Sequence, residues 1–338
     1  MAHKTTLKAI AEHLNLSIST VSKALADSPE ISDSTKLVVK TAARQLKYRP
    51  NAMARGLKSS RTKTLGVVIP NIMHNFFAKV IVGMEEEAAK NGYSLVTCIS
   101  NESLQKEKQS INMLSDVSVD AIIISLSSET QQTEELEHLN DILYFDIPLV
   151  QFDRIHENLN SHSVVINDFK GAYDSVMHLH KTGCKNIALL SILSDTSVGK
   201  KRAQGYEAAI QELGADSKII NTKLEHLEKD LSDFLEENEL DGIVTTDESS
   251  AIYAMNALRL NKRAVPEDVG VIGFTDGALA RNYFPALTTV KQQAEIIGKR
   301  TIQLAIESIE SKTKLEPVQE VIETELVIRN STSPVQQK

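Results

Sequence analysis

Apolar residues recur at helical spacing at the start of the chain. Leu7, Ile10, Ala11 and Leu14 fall at i, i+3, i+4 and i+7, one face of a short helix, with Thr6 placed to cap it. Asn15-Leu16 breaks the pattern. Ser17 is positioned to cap a second helix, Ile18 to Ala26, which turns Val21, Ala24 and Leu25 inward. Asp27-Ser28-Pro29 reads as a loop, and a third helix runs from about Ser32 to Lys47 with Val39, Ala43 and Leu46 on its buried face. Two short helices joined by a tight turn form a helix-turn-helix, and the third closes a small core beneath them.

After Lys63 the period changes. Leu65-Gly66-Val67-Val68-Ile69 is a continuous apolar run stopped by Pro70, the pattern of a parallel strand buried on both faces. A helix from Phe77 to Asn91 follows. Strands are expected near Ser94–Ile99, Ala121–Ser125 and Leu149–Phe152, interleaved with helices at Leu104–Leu114 and Thr133–Leu143. A second series begins at Val164–Ile166. Its strands are Ile187–Leu190, Ile219–Ile220, Ile243–Val244 and Val269–Phe274, and its helices Ala172–Lys181, Lys201–Leu213, Leu224–Leu235 and Ser249–Leu260. The fold class is therefore a small all-α helix-turn-helix head followed by an α/β body of two doubly wound parallel-sheet lobes.

Charge divides the chain in the same place. Residues 1–63 hold twelve Lys and Arg against four Asp and Glu, a balance of +8; since the 338-residue chain carries −8, the other 275 residues carry −16. A basic head on an acidic body points to a nucleic-acid reader attached to something with another task. The 41% apolar content suffices for sizeable cores, so the body is expected to be globular. Cys98 and Cys184 have no metal-binding spacing and read as free thiols in a reducing compartment. With no secretory h-region and no apolar run of about 18 residues, the expectation is a cytoplasmic, nucleoid-associated protein that does not engage a membrane.

The outward face of the second helix carries Ile18, Ser19, Ser22 and Lys23. Its N-terminus suits a major groove: small hydroxyls allow close approach, Ile18 suits a thymine methyl, and Lys23 suits guanine O6 and N7. Thr6, Ser17 and Thr20 suit phosphate contacts, which position the protein without reading sequence. A generic three-helix packing domain with solvated charges is the alternative at this point. Beyond the third helix, Tyr48-Arg49-Pro50-Asn51 ends the module, Asn51-Ala52-Met53-Ala54-Arg55-Gly56-Leu57 is helix-capable, and Lys58 to Lys63 is a polar basic linker.

These segments, with Leu7-Lys8-Ala9-Ile10-Ala11 and Ser17-Ile18-Ser19-Thr20-Val21-Ser22-Lys23-Ala24-Leu25, resemble in order and spacing the DNA-binding head and hinge of the LacI family of bacterial transcription regulators. The resemblance implies a hinge that folds as a helix on operator DNA beside that of its dimer mate. Asn51 and Ala54 lie on that hinge, Leu57 is its minor-groove wedge, and Lys58 supplies a phosphate-binding cation. It also implies domain limits: 1–49 head, 50–63 hinge and linker, 64–330 two-lobed body and 331–338 tail. Lobe 1 would take 64–160 and 291–322, and lobe 2 would take 161–290 and 323–330. The C-terminal helix, Gln293 to Ser311, should return to the first lobe.

The body resembles the same family's effector domain through Ile69-Pro70-Asn71, Phe76-Phe77-Ala78, Val119-Asp120-Ala121-Ile122-Ile123, Ile147-Pro148-Leu149-Val150, Asp153-Arg154, Val271-Ile272-Gly273-Phe274 and Leu287-Thr288-Thr289-Val290-Lys291-Gln292. Carried over by position, the cleft residues are Asn71, Phe76, Phe77, Asn101, Ser125, Asp153, Arg202, Thr246, Asp247, Thr275 and Asp276. Arg202, three residues before Gly205-Tyr206, is expected on the first turn of a helix, its donor fork free for two vicinal sugar hydroxyls. Three positions depart from the family pattern: His74-Asn75 replaces the common Asn-Pro, Thr246 replaces Asn or Ser, and Thr275 replaces an Asp common in sugar-responsive members. No dinucleotide or phosphate-loop fingerprint, metal-ligand cluster or nucleophile–base set is present, so no cofactor and no enzymatic activity are expected. The expected partners are near-palindromic double-stranded operator DNA, a small-molecule effector (a sugar or sugar derivative, alternatively a purine) and a second copy of the chain, since the short polar tail offers no tetramerising heptads.

Overall fold

The computed structural model describes residues 5–48, 61–275 and 277–334. The chain divides into two compact units, Met1–Thr62 and Lys63–Lys338. The first unit contains α1 (Leu7–Leu14), α2 (Ile18–Leu25) and α3 (Asp33–Gln45). Each helix has its hydroxyl cap: Thr6 accepts from the Ala9 N–H, Ser17 from Thr20 and Ser32 from Thr35, each satisfying an N–H that the helix itself leaves orphaned. Asn15 turns into the left-handed region (φ 55°), which ends α1 and makes the turn into α2. Ile10, Val21, Ala24 and Val39 are fully buried between the three helices. Burying them on one side leaves the other face of α2 at the surface.

The second unit is two parallel-sheet lobes. The elements of the first are β1 (Thr64–Ile69), α4 (Asn75–Lys90), β2 (Ser94–Ile99), α5 (Leu104–Asp116), β3 (Ala121–Ile124), α6 (Ser128–Thr133), α7 (Glu137–Tyr144), β4 (Leu149–Phe152) and β5 (His162–Ile166). Those of the second are α8 (Asp168–Lys181), β6 (Ile187–Ser191), α9 (Ser197–Glu212), β7 (Ile219–Asn221), α10 (Leu227–Glu237), β8 (Gly242–Thr245), α11 (Glu248–Leu260), β9 (Gly270–Phe274), α12 (Ala278–Asn282) and β10 (Thr288–Lys291). The chain then returns to the first lobe with α13 (Ala294–Glu310) and β11 (Gln319–Ile322), and to the second with β12 (Glu325–Val327).

The sheet orders are β11-β5-β4-β3-β1-β2 and β12-β10-β9-β8-β6-β7, parallel throughout except for β12 against β10. Apolar clusters fill both faces of each sheet, as the near-continuous apolar strands require. Helix α13 crosses α4 closely: a Cβ on Gly298 would stand 2.2 Å from the Val80 carbonyl oxygen, so only glycine permits that approach.

Two differences from the sequence reading have physical causes. The strand at 162–166, expected to open the second lobe, pairs in parallel with β4 and β11 and belongs to the first. Its crossover from β4, residues 153–161, contains no helix, so the usual strand–helix–strand rhythm lapses there. The helix expected at Thr133–Leu143 is α7 and starts later, at Glu137, and a separate short helix, α6, precedes it. Ser127 starts α6 by accepting from the Thr130 N–H, and Glu134 in the left-handed region (φ 56°) stops it.

In both sheets the order reverses beside the first strand, between β1 and β3 and between β6 and β8. Loops leaving such a switch point diverge and open a crevice at the strand C-termini, the place where doubly wound folds bind ligands. Chain crossings at 167, 292–293 and 323–324 join the lobes.

Candidate functional site

On α2, Ile18 is half exposed. Ser19 is exposed; Ser22 and Lys23 lie partly exposed, Lys23 bonded to the Glu30 carboxylate. That surface ion pair has little energetic weight and leaves Lys23 able to exchange Glu30 for another acceptor. Ser17 and Thr20 share a hydroxyl–hydroxyl bond of 2.8 Å beside the cap. Thr6 accepts from the Ala9 N–H at 3.2 Å and retains its O–H for donation. Asn51, Ala54, Leu57 and Lys58 lie outside the described residues.

The crevice in the body is narrow, with a cavity volume of about 80 Å³, smaller than a typical small-ligand site. The loop after β1 and the start of α4 bring Phe76 and Phe77; the end of β4 brings Asp153; α9 brings Arg202; the end of β8 brings Asp247; the end of β9 brings Thr275. Six residues expected from sequence thus line one cavity. Four others stand away from its lining. Asn71 shapes the loop by accepting from the Met73 N–H at 2.8 Å. Asn101 is exposed with φ 49°. Ser125 is fully buried at the end of β3. Thr246 is fully buried and accepts from the Ile192 N–H. Asp276 lies outside the described residues.

Arg202 requires a correction. Helix α9 begins at Ser197, so Arg202 sits on its second turn, not its first. Its fork is also partly committed: Nε donates to Asp168 at 2.7 Å, Nη1 donates to the Thr246 carbonyl, and the guanidinium lies 4.1 Å from the Phe274 ring centroid. A site 2% exposed needs this support, because a buried cation without partners carries a large desolvation penalty. Nη2 remains for the cleft. Gly205, one turn on, lets α9 lie against the Phe169 backbone; a Cβ there would stand 2.0 Å from that carbonyl oxygen.

Asp153 and Arg154 enter from the other lobe. Arg154 Nη1 donates to both Glu102 oxygens, at 2.8 and 2.7 Å. Burial pushes Glu102 upward, but the charge and hydrogen bond of Arg154, with the Ser128 bonds, hold it below its ordinary value. Burial raises Asp153 to about 6, against the pull of Arg154 and Arg202 and with the push of Asp168. Asp168 is also raised by burial, opposed by the Arg202 charge and hydrogen bond.

Sequence reasoning missed His74, Asn75, Arg154, Glu248, Ser249 and Gln292, which also line the cavity. The signal for Asn75 was present: it stands where the family pattern has Pro. Three buried polar atoms on the lining have no partner: Asn75 Nδ2, Arg154 Nε and Asp247 Oδ2. Asp247 caps α11 with Oδ1, 2.6 Å from the Ser250 nitrogen, which leaves Oδ2 uncommitted. Each orphan costs about 1–3 kcal/mol unless something bonds to it, so two donors and one acceptor wait on one small cavity.

A helix-turn-helix head on a two-lobed body with a polar crevice defines a DNA-binding transcription regulator carrying a periplasmic-binding-protein-like domain. Residues 6–51 match the family described as bacterial regulatory proteins, lacI family, and residues 176–332 match the periplasmic binding protein-like domain. The HTH-type transcriptional regulator RegA of Clostridium saccharobutylicum is 33% identical over 97% of this chain and 99% of its own. The ribose operon repressor of Halalkalibacterium halodurans is 29% identical (97% of each chain), and the PurR repressor of Aliivibrio fischeri strain MJ11 28% identical (96% and 98%). The lac repressor dimer bound to operator and the anti-inducer ONPF superposes with a TM-score of 0.86 at 20% identity, covering 98% of this chain and 100% of that one. The chain belongs to the LacI family; it is a non-enzymatic DNA-binding transcription regulator. Among the described residues no helix is long and apolar enough to cross a membrane.

Proposed function

We propose that this regulator is a homodimeric repressor of carbohydrate-use genes, controlled by a sugar or sugar derivative bound between the two lobes. The observation that carries the effector reading is the set of orphaned polar atoms: Asn75 Nδ2 and Arg154 Nε ask for acceptors, and Asp247 Oδ2 asks for a donor. A polyol satisfies both kinds at once, because each hydroxyl donates and accepts. Arg202 Nη2 and the Asp153 carboxylate extend the set, and Phe76 supplies an apolar wall. The face of Phe274 is already occupied by Arg202, which leaves Phe76 as the ring available to either ligand class. The ribose operon repressor among the relatives favours the sugar; the PurR relatives keep a purine as the second reading.

In this reading, Ile18, Ser19, Ser22 and Lys23 read base edges while Thr6, Ser17 and Thr20 hold phosphates. Asn51, Ala54, Leu57 and Lys58 form the hinge contact with the minor groove. Two heads related by a twofold axis read the halves of a near-palindrome. The ligand biases the hinge–DNA state through its different affinities for two lobe arrangements, a coupling of typically ~1–3 kcal/mol.

A thermal-shift screen of the full chain tests the effector. Pentoses, hexoses and their phosphates should include a compound that raises the midpoint with concentration, since a ligand of the native state stabilises it by mass action. A shift produced by nucleobases alone would replace the sugar reading with the purine one.

A further inference from the structure

A second polar device joins the lobes beside the cleft and shares no bond with any group proposed to hold a ligand. Gln131, on α6 of the first lobe and 7% exposed, accepts from the Ser197 N–H at 3.0 Å through Oε1 and donates to the Ile155 carbonyl at 2.8 Å through Nε2. Ser197 is the first residue of α9 in the second lobe. Its hydroxyl accepts in turn from the Ile155 N–H at 3.2 Å. The amide can face only one way, because an N–H meets only the amide oxygen and a carbonyl only the amide nitrogen. The result is a closed ring of three hydrogen bonds across the lobe boundary, two of them made by one buried side chain.

The ring is supported on both sides by the cleft arginines. Glu102, which grips Arg154 bidentately, also accepts from the Ser128 N–H at the start of α6, the helix that carries Gln131. Arg202 lies on α9, five residues beyond Ser197. A change at either arginine therefore reaches the same ring, through the short α6 or through the first turns of α9. The other close interlobe pair nearby, Lys201 with Glu157 at 3.5 Å, is well exposed and contributes little.

We infer that Gln131 is a latch that holds the two lobes in register by bonding the N-terminus of α9, and that it sets the balance between lobe arrangements independently of which ligand the cleft takes. It is a positioning residue, since it reaches the cleft only through α6 and α9. Its amide satisfies an N–H that α9 leaves orphaned, so opening the lobes exposes that N–H together with the Ile155 N–H, which loses the Ser197 hydroxyl. The latch thus makes separation discrete, broken or whole, as a two-state regulator needs.

The test is amide hydrogen exchange on the full chain, resolved at residues 197 and 199, with no ligand added. The Gly199 N–H is held by Thr196 Oγ1 inside the second lobe, so it reports on α9 alone. In Gln131→Ala the Ser197 amide should exchange about tenfold faster, the value for loss of a bond worth ~1.4 kcal/mol, while Gly199 keeps its wild-type rate. Gln131→Glu, which accepts from Ser197 but cannot donate to Ile155, should keep most of the Ser197 protection. A spin-label distance between exposed Lys106 on α5 and Lys229 on α10, each replaced by Cys, should broaden in Gln131→Ala. Equal acceleration at 197 and 199 would mean that the helix end merely frays. Unchanged exchange at 197, or an unchanged distance distribution, would equally overturn the latch.

Discussion

At the scale of single residues, the cleft shows how burial and partners tune charge. Asp153 and Asp168 are both buried carboxylates near Arg202, yet only Asp168 is hydrogen-bonded to it. Burial raises Asp153 to about 6, above its free value of 3.8, and it raises Asp168 as well despite that bond. A carboxyl raised on folding favours the native state where it is protonated, and that contribution is lost as pH rises from about 4 through 6. The loss amounts to about 3 kcal/mol by the usual ~1.4 kcal/mol per pKa unit. Asp153→Asn should match the wild type most closely at pH 4.5 and gain on it by pH 7.5, as read from urea midpoints at the two pH values. A gap that stays constant with pH would show that Asp153 does not carry this cost. Asp153 and Arg202 were legible by position, but their commitments were not, and Asp168 was not expected at all. Nothing in the sequence places the Thr246 carbonyl or Asp168 against Arg202, because both contacts join loops and helices far apart in the chain. Asn75 was legible only as a departure from a pattern; its role as an orphaned donor needs the cavity around it.

At the scale of elements, the head was readable almost to the residue, since helix starts are written in the chain as hydroxyl caps and their faces as i, i+3, i+4 spacing. Thr6, Ser17 and Ser32 cap α1, α2 and α3. The strands were readable as apolar runs, but membership of a sheet was not: β5 looks the same in sequence whether it closes one lobe or opens the next. The first turn of α9 was missed because Ser197-Val198-Gly199 carries weak periodicity, and the helix start rests on a Thr196 cap that needs the Gly199 backbone in place. The hinge is the element on which regulation turns in the proposed mechanism. Leu57→Ala should lower affinity for a specific site more than for random DNA, measured by fluorescence anisotropy at one salt concentration. Equal loss on both would remove the wedge from the account.

At the scale of the whole molecule, a +8 head and a −16 body divide the work. The net charge of the body disfavours phosphate, so electrostatic attraction to DNA rests on the basic head. The crevice lies at strand C-termini where two sheet orders reverse, and the lobes meet there through three chain crossings and the Gln131 ring. That geometry supports control by small relative movements of the lobes, because Arg202 shares α9 with the ring and Arg154 reaches α6 through Glu102. The central claim is that the chain reads a twofold-symmetric DNA site through its head. Selection of bound sequences from a randomised duplex pool by the full-length protein, with a chain lacking residues 1–63 as control, tests it most directly. The account predicts enrichment of a near-palindrome by the full chain and none by the control; enrichment of an asymmetric site, or equal recovery of DNA by both proteins, would contradict it.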